Sequence, residues 1–177
     1  MKKELIIAIL LSALTFQGTA LAASTSVGAN ISRGQGDSMA YTLNISQMYE
    51  PWLSNGVCEL APLAEIGAHA WDPDDNDDDT VWGGYLGIGL RFSLFTDKVI
   101  RPYLEGSFGG AINSEDSIDG RDLGSHALFR SRGSVGVNFG ETYNHKVQGD
   151  VVHFSTGGLT NKNDGYTTYG VSYGYSF

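Results

Sequence analysis

Apolar residues alternate with small or polar ones along eight segments of this chain, each about 10–15 residues long. In the last segment Tyr169, Val171, Tyr173, Tyr175 and Phe177 share one parity, and threonine, glycine and serine hold the other from residue 168 to residue 176. Because successive side chains of a strand point to opposite faces, the alternation predicts strands with one apolar face. The predicted strands span residues 25–33, 38–48, 57–70, 80–94, 99–112, 124–139, 145–156 and 165–177.

Charged side chains collect on the small and polar face of these segments. An eight-stranded barrel has an interior just wide enough to be filled by side chains. We therefore expect a packed ion-pair network inside the barrel, which disfavours an open pore. The predicted members of the network are Glu59, Glu65, Arg91, Arg101, Glu105, Arg130, Arg132 and Asp150.

The apolar face of the strands predicts contact with lipid. After residue 22 no run approaches the roughly 18 apolar residues of a membrane-spanning helix, whereas 24 glycines, 9 tyrosines and 8 phenylalanines suit transmembrane strands. In hydrocarbon a sheet must close to satisfy its backbone groups. The predicted fold is all-β, an eight-stranded antiparallel transmembrane β-barrel.

A secretory signal peptide is predicted at residues 1–22, since two lysines precede an apolar run from Leu5 to Leu14, and Ala20-Leu21-Ala22 has the small-x-small pattern of a cleavage site. The barrel then occupies residues 23–177. Of the 11 basic and 20 acidic residues, cleavage removes two lysines and one glutamate, which leaves a net charge of −10 and argues against nucleic acid as a partner. The terminal Phe177 resembles the assembly signal of bacterial outer-membrane barrels, so we expect that location.

An even number of strands places both termini at one end, which is periplasmic in bacterial barrels. Residues 34–37, 71–79, 113–123 and 157–164 are then the outer loops, and residues 95–98 and 140–144 are short periplasmic turns. The acidic loop at residues 72–79 has the oxygen ligands that calcium prefers. It lacks the glycine and closing glutamate of a known calcium loop, so a solvated loop is favoured.

His153 and Ser155 share the outward parity of Val147 and Val151 near the outer end of the seventh strand. Polar groups in hydrocarbon cost several kcal/mol unless they are paired. A histidine beside a serine can act as a base for a nucleophile, and Gly157-Gly158 can aim backbone amides at an oxyanion. The pair is therefore either a catalytic site or a polar anchor in the headgroup region.

Two blocks of sequence form a recognisable pattern. The first is His153-Phe154-Ser155-Thr156-Gly157-Gly158-Leu159, followed by Asn163-Asp164-Gly165. The second comprises Arg101-Pro102-Tyr103-Leu104-Glu105-Gly106, residues 121–129 and Gly136-Val137-Asn138-Phe139-Gly140. Both blocks resemble the outer-membrane lipid A 3-O-deacylases. The resemblance covers about residues 80–177 well and the first three strands by architecture only.

This resemblance implies a serine esterase that removes the 3-O-linked acyl chain of lipid A, with Ser155 as nucleophile and His153 as base. It implies no metal and no cofactor. The implied partners are lipid A or lipopolysaccharide of the outer leaflet and other outer-membrane lipids, and a homodimer stays open.

The chain departs from the family pattern at two positions. The residue after the serine is usually asparagine and is Thr156 here, so the oxyanion would depend on Thr156 and on the backbone amide of Gly158. The position of the glutamate that orients the histidine holds Thr167. Thr167, which lies across the hairpin from His153 if the two strands pair symmetrically about residue 160, or the nearby Asp164 is then the candidate orienting group. These departures keep open a second hypothesis, a noncatalytic barrel for adhesion or membrane integrity.

Overall fold

The structure is a computed structural model that describes residues 22–36, 38–72 and 80–177. This part of the chain contains eleven β-strands. The predicted signal peptide and the acidic loop fall largely on residues 1–21 and 73–79, outside that part. In chain order the strands are β1 (Ala22–Gly34), β2 (Met39–Tyr49), β3 (Leu53–Ser54), β4 (Cys58–Asp72), β5 (Val81–Leu94), β6 (Arg101–Asn113), β7 (Ser117–Ile118), β8 (Arg121–Asp122), β9 (Ala127–Phe139), β10 (His145–Ser155) and β11 (Tyr166–Ser176).

The eight long strands form a closed antiparallel barrel in the order β2-β1-β11-β10-β9-β6-β5-β4, and β4 pairs with β2 to complete the ring. Their bounds agree with the eight predicted segments to within three residues. The short β3 extends the sheet beside β4, and β7 and β8 form a separate hairpin between β6 and β9. Among the described residues, no helix is long and apolar enough to cross a membrane.

The barrel wall has the predicted two faces. On β10 the side chains of Lys146, Gln148 and Asp150 are buried, whereas Val147 and Val151 are exposed on the outer surface. Exposed large apolar residues recur on the outer face of every long strand. Because a closed barrel leaves no unpaired edge, this surface suits a lipid environment.

A charged network fills the middle of the barrel. Glu65 accepts bonds from Arg130 and Arg132, both at 2.8 Å, and Arg91 lies 2.5 Å from Glu105. Arg132 also bonds Glu105 and lies 3.3 Å from Asp150. The predicted network is confirmed for these six residues. Within the described residues, Glu59 and Arg101 form no ion pair with the network. Both line a cavity at the end of the barrel that carries the termini, which Arg91 also borders, and Arg101 stacks on Tyr143 there.

The opposite end, here called the loop end, is closed by an apolar cluster. Ile118 and Leu123, from the loop that contains the β7–β8 hairpin, are buried with side chains from the strand ends. Those strand residues include Trp71, whose ring meets those of Phe154 and Tyr166 in edge-to-face arrangements. The cluster anchors the end of β10, which carries the predicted site.

Candidate active site on the outer surface of the barrel

The end of β10 places His153 and Ser155 on the outer face. Phe154, between them, points inward and is only 3% exposed, and it packs against Trp71 with ring centroids 5.0 Å apart. Because neighbouring side chains on a strand alternate, this buried ring fixes its two neighbours on the outward side. His153 is exposed and Ser155 is half-buried.

His153 lies between two hydroxyl residues of the adjacent strands. The register pairs it with Thr167 of β11 and with Ser131 of β9. The ring Nδ1 is 2.9 Å from the Thr167 Oγ1 atom, within hydrogen-bonding distance. The hairpin is thus symmetric about residue 160, as expected from the sequence, and Thr167 is the side chain in contact with the imidazole.

Gly165 packs against the same ring. A Cβ atom at this position would lie 2.9 Å from His153 Cε1, and the glycine has a φ of +63°, a left-handed conformation that other residues rarely adopt. A side chain here would press on the imidazole and strain the backbone. Gly165 therefore helps to position the His153 ring. The sequence motif includes this glycine, but the motif alone gives it no role.

The residues after Ser155 form a tight turn. The Leu159 amide donates to the Thr156 carbonyl at 3.2 Å, and the two central residues, Gly157 and Gly158, have φ values of +63° and +83°. Two consecutive positive φ values are typical of a type I′ turn. Among the described residues, neither glycine amide has a hydrogen-bond acceptor, so both N–H groups are available to a ligand.

The two groups of Thr156 that could donate to an oxyanion, its backbone amide and its hydroxyl, both donate to other residues of the protein. Its backbone amide donates to Asn163 Oδ1 at 2.9 Å. The Thr160 hydroxyl donates to the Lys162 carbonyl, so the Thr156 hydroxyl is the donor in its 3.0 Å bond to Thr160. Thr156 is 2% exposed. It supports the turn, and the available donors are the amides of Gly157 and Gly158.

Asp164 is engaged away from His153. Its carboxylate accepts the amide proton of Asp122 at 3.1 Å, and its own amide donates to the Asp122 carbonyl at 3.2 Å. These contacts hold Asp164 against the backbone of Asp122, so they do not support the orienting role considered for it. This difference has a tertiary cause, because Asp122 belongs to a loop 42 residues earlier in the chain.

An apolar groove of about 370 Å³ runs along the outer surface beside Ser155. Phe129, the cross-strand partner of Ser155, lines it together with Phe108, and the two rings stack 5.7 Å apart. Leu159, at the end of the glycine turn, lines the other side. Within the described part of the chain, no group of three or more His, Cys, Asp or Glu residues could hold a metal ion.

The fold and this site define a class of protein, a small closed barrel with a histidine and a serine on its apolar outer surface. A family model described as lipid A 3-O-deacylase (PagL) matches residues 38–176, and the chain belongs to this family. The match begins at the second strand, earlier than the resemblance at residues 80–177 indicated.

Similar proteins agree with this assignment. The chain is 28% identical over 182 residues to the lipid A deacylase PagL of Pseudomonas aeruginosa, and the alignment covers 98% of each protein. The crystal structure of the outer membrane enzyme PagL superimposes with a TM-score of 0.76 at 22% identity, covering 85% of this chain and 98% of that one. Neisserial surface protein A gives a TM-score of 0.58 at 14% identity, covering 87% and 96%. At these identities the two structural matches show the fold alone.

Proposed function

We propose that this protein is an outer-membrane serine esterase that removes the 3-O-linked acyl chain of lipid A. Family membership supports the reaction and the substrate class. The observation that carries the residue assignment is the contact of His153 Nδ1 with Thr167, which holds an imidazole beside Ser155 on the outer surface of the barrel. Unpaired polar groups that face hydrocarbon cost several kcal/mol, so a site that acts on lipid accounts for this pair better than packing does.

The topology supports a site in the outer leaflet. Both ends of the eight-stranded wall lie at the end of the barrel opposite to the His153 site, since Ser26 of β1 pairs with Ser176 of β11. Bacterial outer-membrane barrels keep their termini in the periplasm. The loop end is then extracellular, and lipid A in the outer leaflet reaches Ser155 laterally, without entering the barrel.

The proposed reaction begins with proton transfer. When His153 Nδ1 donates to Thr167, the Nε2 lone pair is free to take the Ser155 hydroxyl proton. The serine Oγ then attacks the ester carbonyl carbon and forms a tetrahedral intermediate. His153 returns the proton to the sugar oxygen as the ester bond breaks, which leaves an acyl-serine. Water activated by the same imidazole hydrolyses this acyl-serine and releases the fatty acid.

The amides of Gly157 and Gly158 are the proposed oxyanion donors. Preorganised N–H groups that face a developing negative charge are commonly the largest contribution to acyl transfer, and one donor is worth about 10²–10³ in kcat. Among the described residues both glycine amides lack an acceptor, and Thr156 alone separates them from the nucleophile in sequence. The turn is preorganised because Asn163 and Thr160 hold Thr156 in place.

The apolar groove supplies a place for the acyl chain. It is lined mainly by apolar surface, and its lining includes Phe129, the cross-strand partner of Ser155. A hydrocarbon chain lying along Phe108 and Phe129 would direct its ester end toward the serine. Burial of apolar area in such a groove contributes about 25 cal/mol per Å².

The competing function is a noncatalytic barrel. It is favoured by the same contact between His153 Nδ1 and Thr167. Thr167 is a neutral partner, and a hydroxyl stabilises an imidazolium less than a carboxylate does. In that case the pair is a polar anchor, and function depends on the outer loops.

Mass spectrometry of lipid A distinguishes the two functions. Cells that express the wild-type protein should lose the 3-O-linked acyl chain, and cells that express Ser155→Ala at equal barrel levels should keep it. Ser131→Ala, which removes another outward hydroxyl next to His153, is the matched control and should retain activity. Identical acyl patterns with wild type and Ser155→Ala contradict the esterase assignment.

A further inference from the structure

Residues 114–126, here called the lid loop, fold over the loop end of the barrel. The loop contains the β7–β8 hairpin, in which Ile118 pairs with Arg121 around Asp119 and Gly120. Both turn residues have positive φ, 49° and 70°, as an Asp-Gly type I′ turn requires. The lid loop therefore has a defined structure of its own.

The barrel interior anchors the lid loop. Ile118 and Leu123 are 2% and 0% exposed within the apolar cluster. Asp119, at the tip of the hairpin, accepts a hydrogen bond from the Tyr166 hydroxyl at 2.5 Å, and Ser38 bonds the same hydroxyl. Side chains at both ends of the hairpin thus fix it to the rigid wall.

The lid loop is joined to residues 156–165, here called the site loop, mainly through Asp122. Its carboxylate accepts a bond from Lys162 Nζ at 2.5 Å and one from the Gly124 amide at 2.9 Å. Its backbone amide and carbonyl form the reciprocal pair with Asp164. One residue of the lid loop thereby contacts two residues of the site loop.

Gly124 brings the two loops into direct backbone contact. A Cβ atom there would lie 2.1 Å from the Lys162 carbonyl oxygen and 2.6 Å from Thr160 Oγ1. That same Lys162 carbonyl accepts the Thr160 hydroxyl, which in turn accepts the Thr156 hydroxyl. A continuous chain of contacts therefore runs from Asp122 to the residue that begins the glycine turn.

We propose that Asp122 is a positioning residue for deacylation, and that the lid loop acts through it to hold the Gly157 and Gly158 amides in the geometry that the oxyanion requires. The inference rests on the proposed function. Oxyanion donors act only within a narrow range of position, and a displacement of about 1 Å costs on the order of 10²-fold in rate. The turn itself has glycines at both central positions, so its rigidity comes from outside contacts.

Steady-state kinetics on purified barrels in detergent with a lipid A substrate tests the inference. Asp122→Ala should lower kcat by about tenfold and leave KM within about twofold, because the apolar groove that binds the acyl chain is intact. A merely structural defect would lower the folded fraction and leave kcat per folded barrel unchanged. Glu115→Ala, an exposed acid in the same loop, is the matched control and should behave as wild type.

A charge exchange tests the ion pair itself. Asp122→Lys and Lys162→Asp should each lower kcat, and the double variant should recover at least about threefold relative to Asp122→Lys. Failure of the double variant to recover, or a wild-type kcat for Asp122→Ala, overturns the positioning role. Ser155→Ala separates the two claims: if it is inactive while every Asp122 variant is fully active, the esterase stands and the positioning role fails. If Ser155→Ala is active, the proposed function itself fails.

Discussion

The barrel carries two polar assemblies that differ in how their hydrogen-bonding groups are used. Inside, the carboxylates of Glu65, Glu105 and Asp150 are all bonded to arginines and are almost completely buried. On the outside, His153 has one polar contact, to Thr167, and within the described residues its Nε2 and the Ser155 hydroxyl have no hydrogen-bond partner. Both assemblies are polar, and the inner one is nearly saturated: among its six charged side chains, Arg132 alone has a buried atom, Nε, without a hydrogen-bond partner in the described structure.

The difference separates stability from chemistry. A buried charge that loses its partner costs several kcal/mol, so the inner network must be nearly complete to exist. A catalytic group needs a free lone pair or proton that can react with substrate, so the outer pair must be incomplete. Substitutions inside the barrel should therefore change stability, and substitutions outside should change rate.

The largest expected effect is on rate, from His153→Ala. Loss of the base should lower deacylation by roughly 10³-fold or more, and the double variant with Ser155→Ala should be no worse than either single variant, because the two residues act as a unit. The unfolding free energy should change by less than about 0.5 kcal/mol at this surface position. Deacylation kinetics and urea unfolding in lipid vesicles measure both quantities. If His153→Ala instead caused a large loss of stability and left the rate unchanged, the outer pair would be structural, as the inner network is.

The largest expected effect on stability comes from Glu65→Ala. Its removal leaves Arg130 and Arg132 without their 2.8 Å partner, which should cost about 3–5 kcal/mol of unfolding free energy. Activity per folded barrel should remain close to wild type. Glu59→Ala, a partly exposed acid outside the network, is the control and should change the unfolding free energy by less than about 0.5 kcal/mol. Equal effects of the two substitutions would show that the inner network contributes little.

An intermediate effect is expected from Thr167→Glu. A carboxylate at the His153 Nδ1 should stabilise the imidazolium and raise kcat on the order of 10-fold. Thr167→Gln, with similar size and no charge, is the matched control and should give no such gain. A pre-steady-state burst assay of acyl-serine formation measures the change. If neither variant exceeds wild type, the threonine already orients the ring adequately or the site is not catalytic.

The smallest expected effect concerns pH and the Asp122–Lys162 pair. The Lys162 ammonium lowers the pKa of Asp122 from its ordinary 3.8, and the Asp122 carboxylate raises the pKa of Lys162 from its ordinary 10.5. A lowered acid pKa stabilises the folded form above pH 3.8 and loses this effect as the pH falls through the folded value. The raised lysine pKa stabilises the folded form below pH 10.5, and this stabilisation is lost as the pH rises through the pKa that Lys162 has in the folded protein.

The contribution of this pair to loop stability should therefore be constant between about pH 5 and 9. Amide hydrogen exchange of residues 156–165 in wild type and Lys162→Met, compared across that range, measures it. A difference between the two proteins that varies strongly within the range would mean that another group titrates at the loop contact.

The sequence predicted much of this structure because local periodicity carries it. Alternation placed all eight long strands, and symmetry about residue 160 placed His153 opposite Thr167. The alternation pattern predicts only an outer loop at residues 113–123, where the structure has the β7–β8 hairpin. Asp119-Gly120 is a dipeptide that favours a two-residue hairpin, so this hairpin has a signal of its own in the sequence.

The partners of Thr156 and Asp164 could not be predicted in the same way. Thr156 is next to the nucleophile in sequence, but whether its hydroxyl is free depends on Thr160 and Lys162. Asp164 is the loop acid nearest to His153 in sequence, but its carboxylate accepts a hydrogen bond from the Asp122 amide in a separate loop. Glu59 and Arg101 have the parity of the inner network, yet they lie at the end of the barrel that carries the termini and, among the described residues, form no ion pair with its members.

The sequence by itself determined the strands, the two faces of the wall and the outward position of His153 and Ser155, because a strand repeats every two residues whatever surrounds it. Only the tertiary structure decided which polar groups near that pair are free. Hydrogen-bond partners from distant parts of the chain meet only when the barrel closes and the lid loop packs on its end. That packing leaves the Gly157 and Gly158 amides available and engages Thr156 and Asp164.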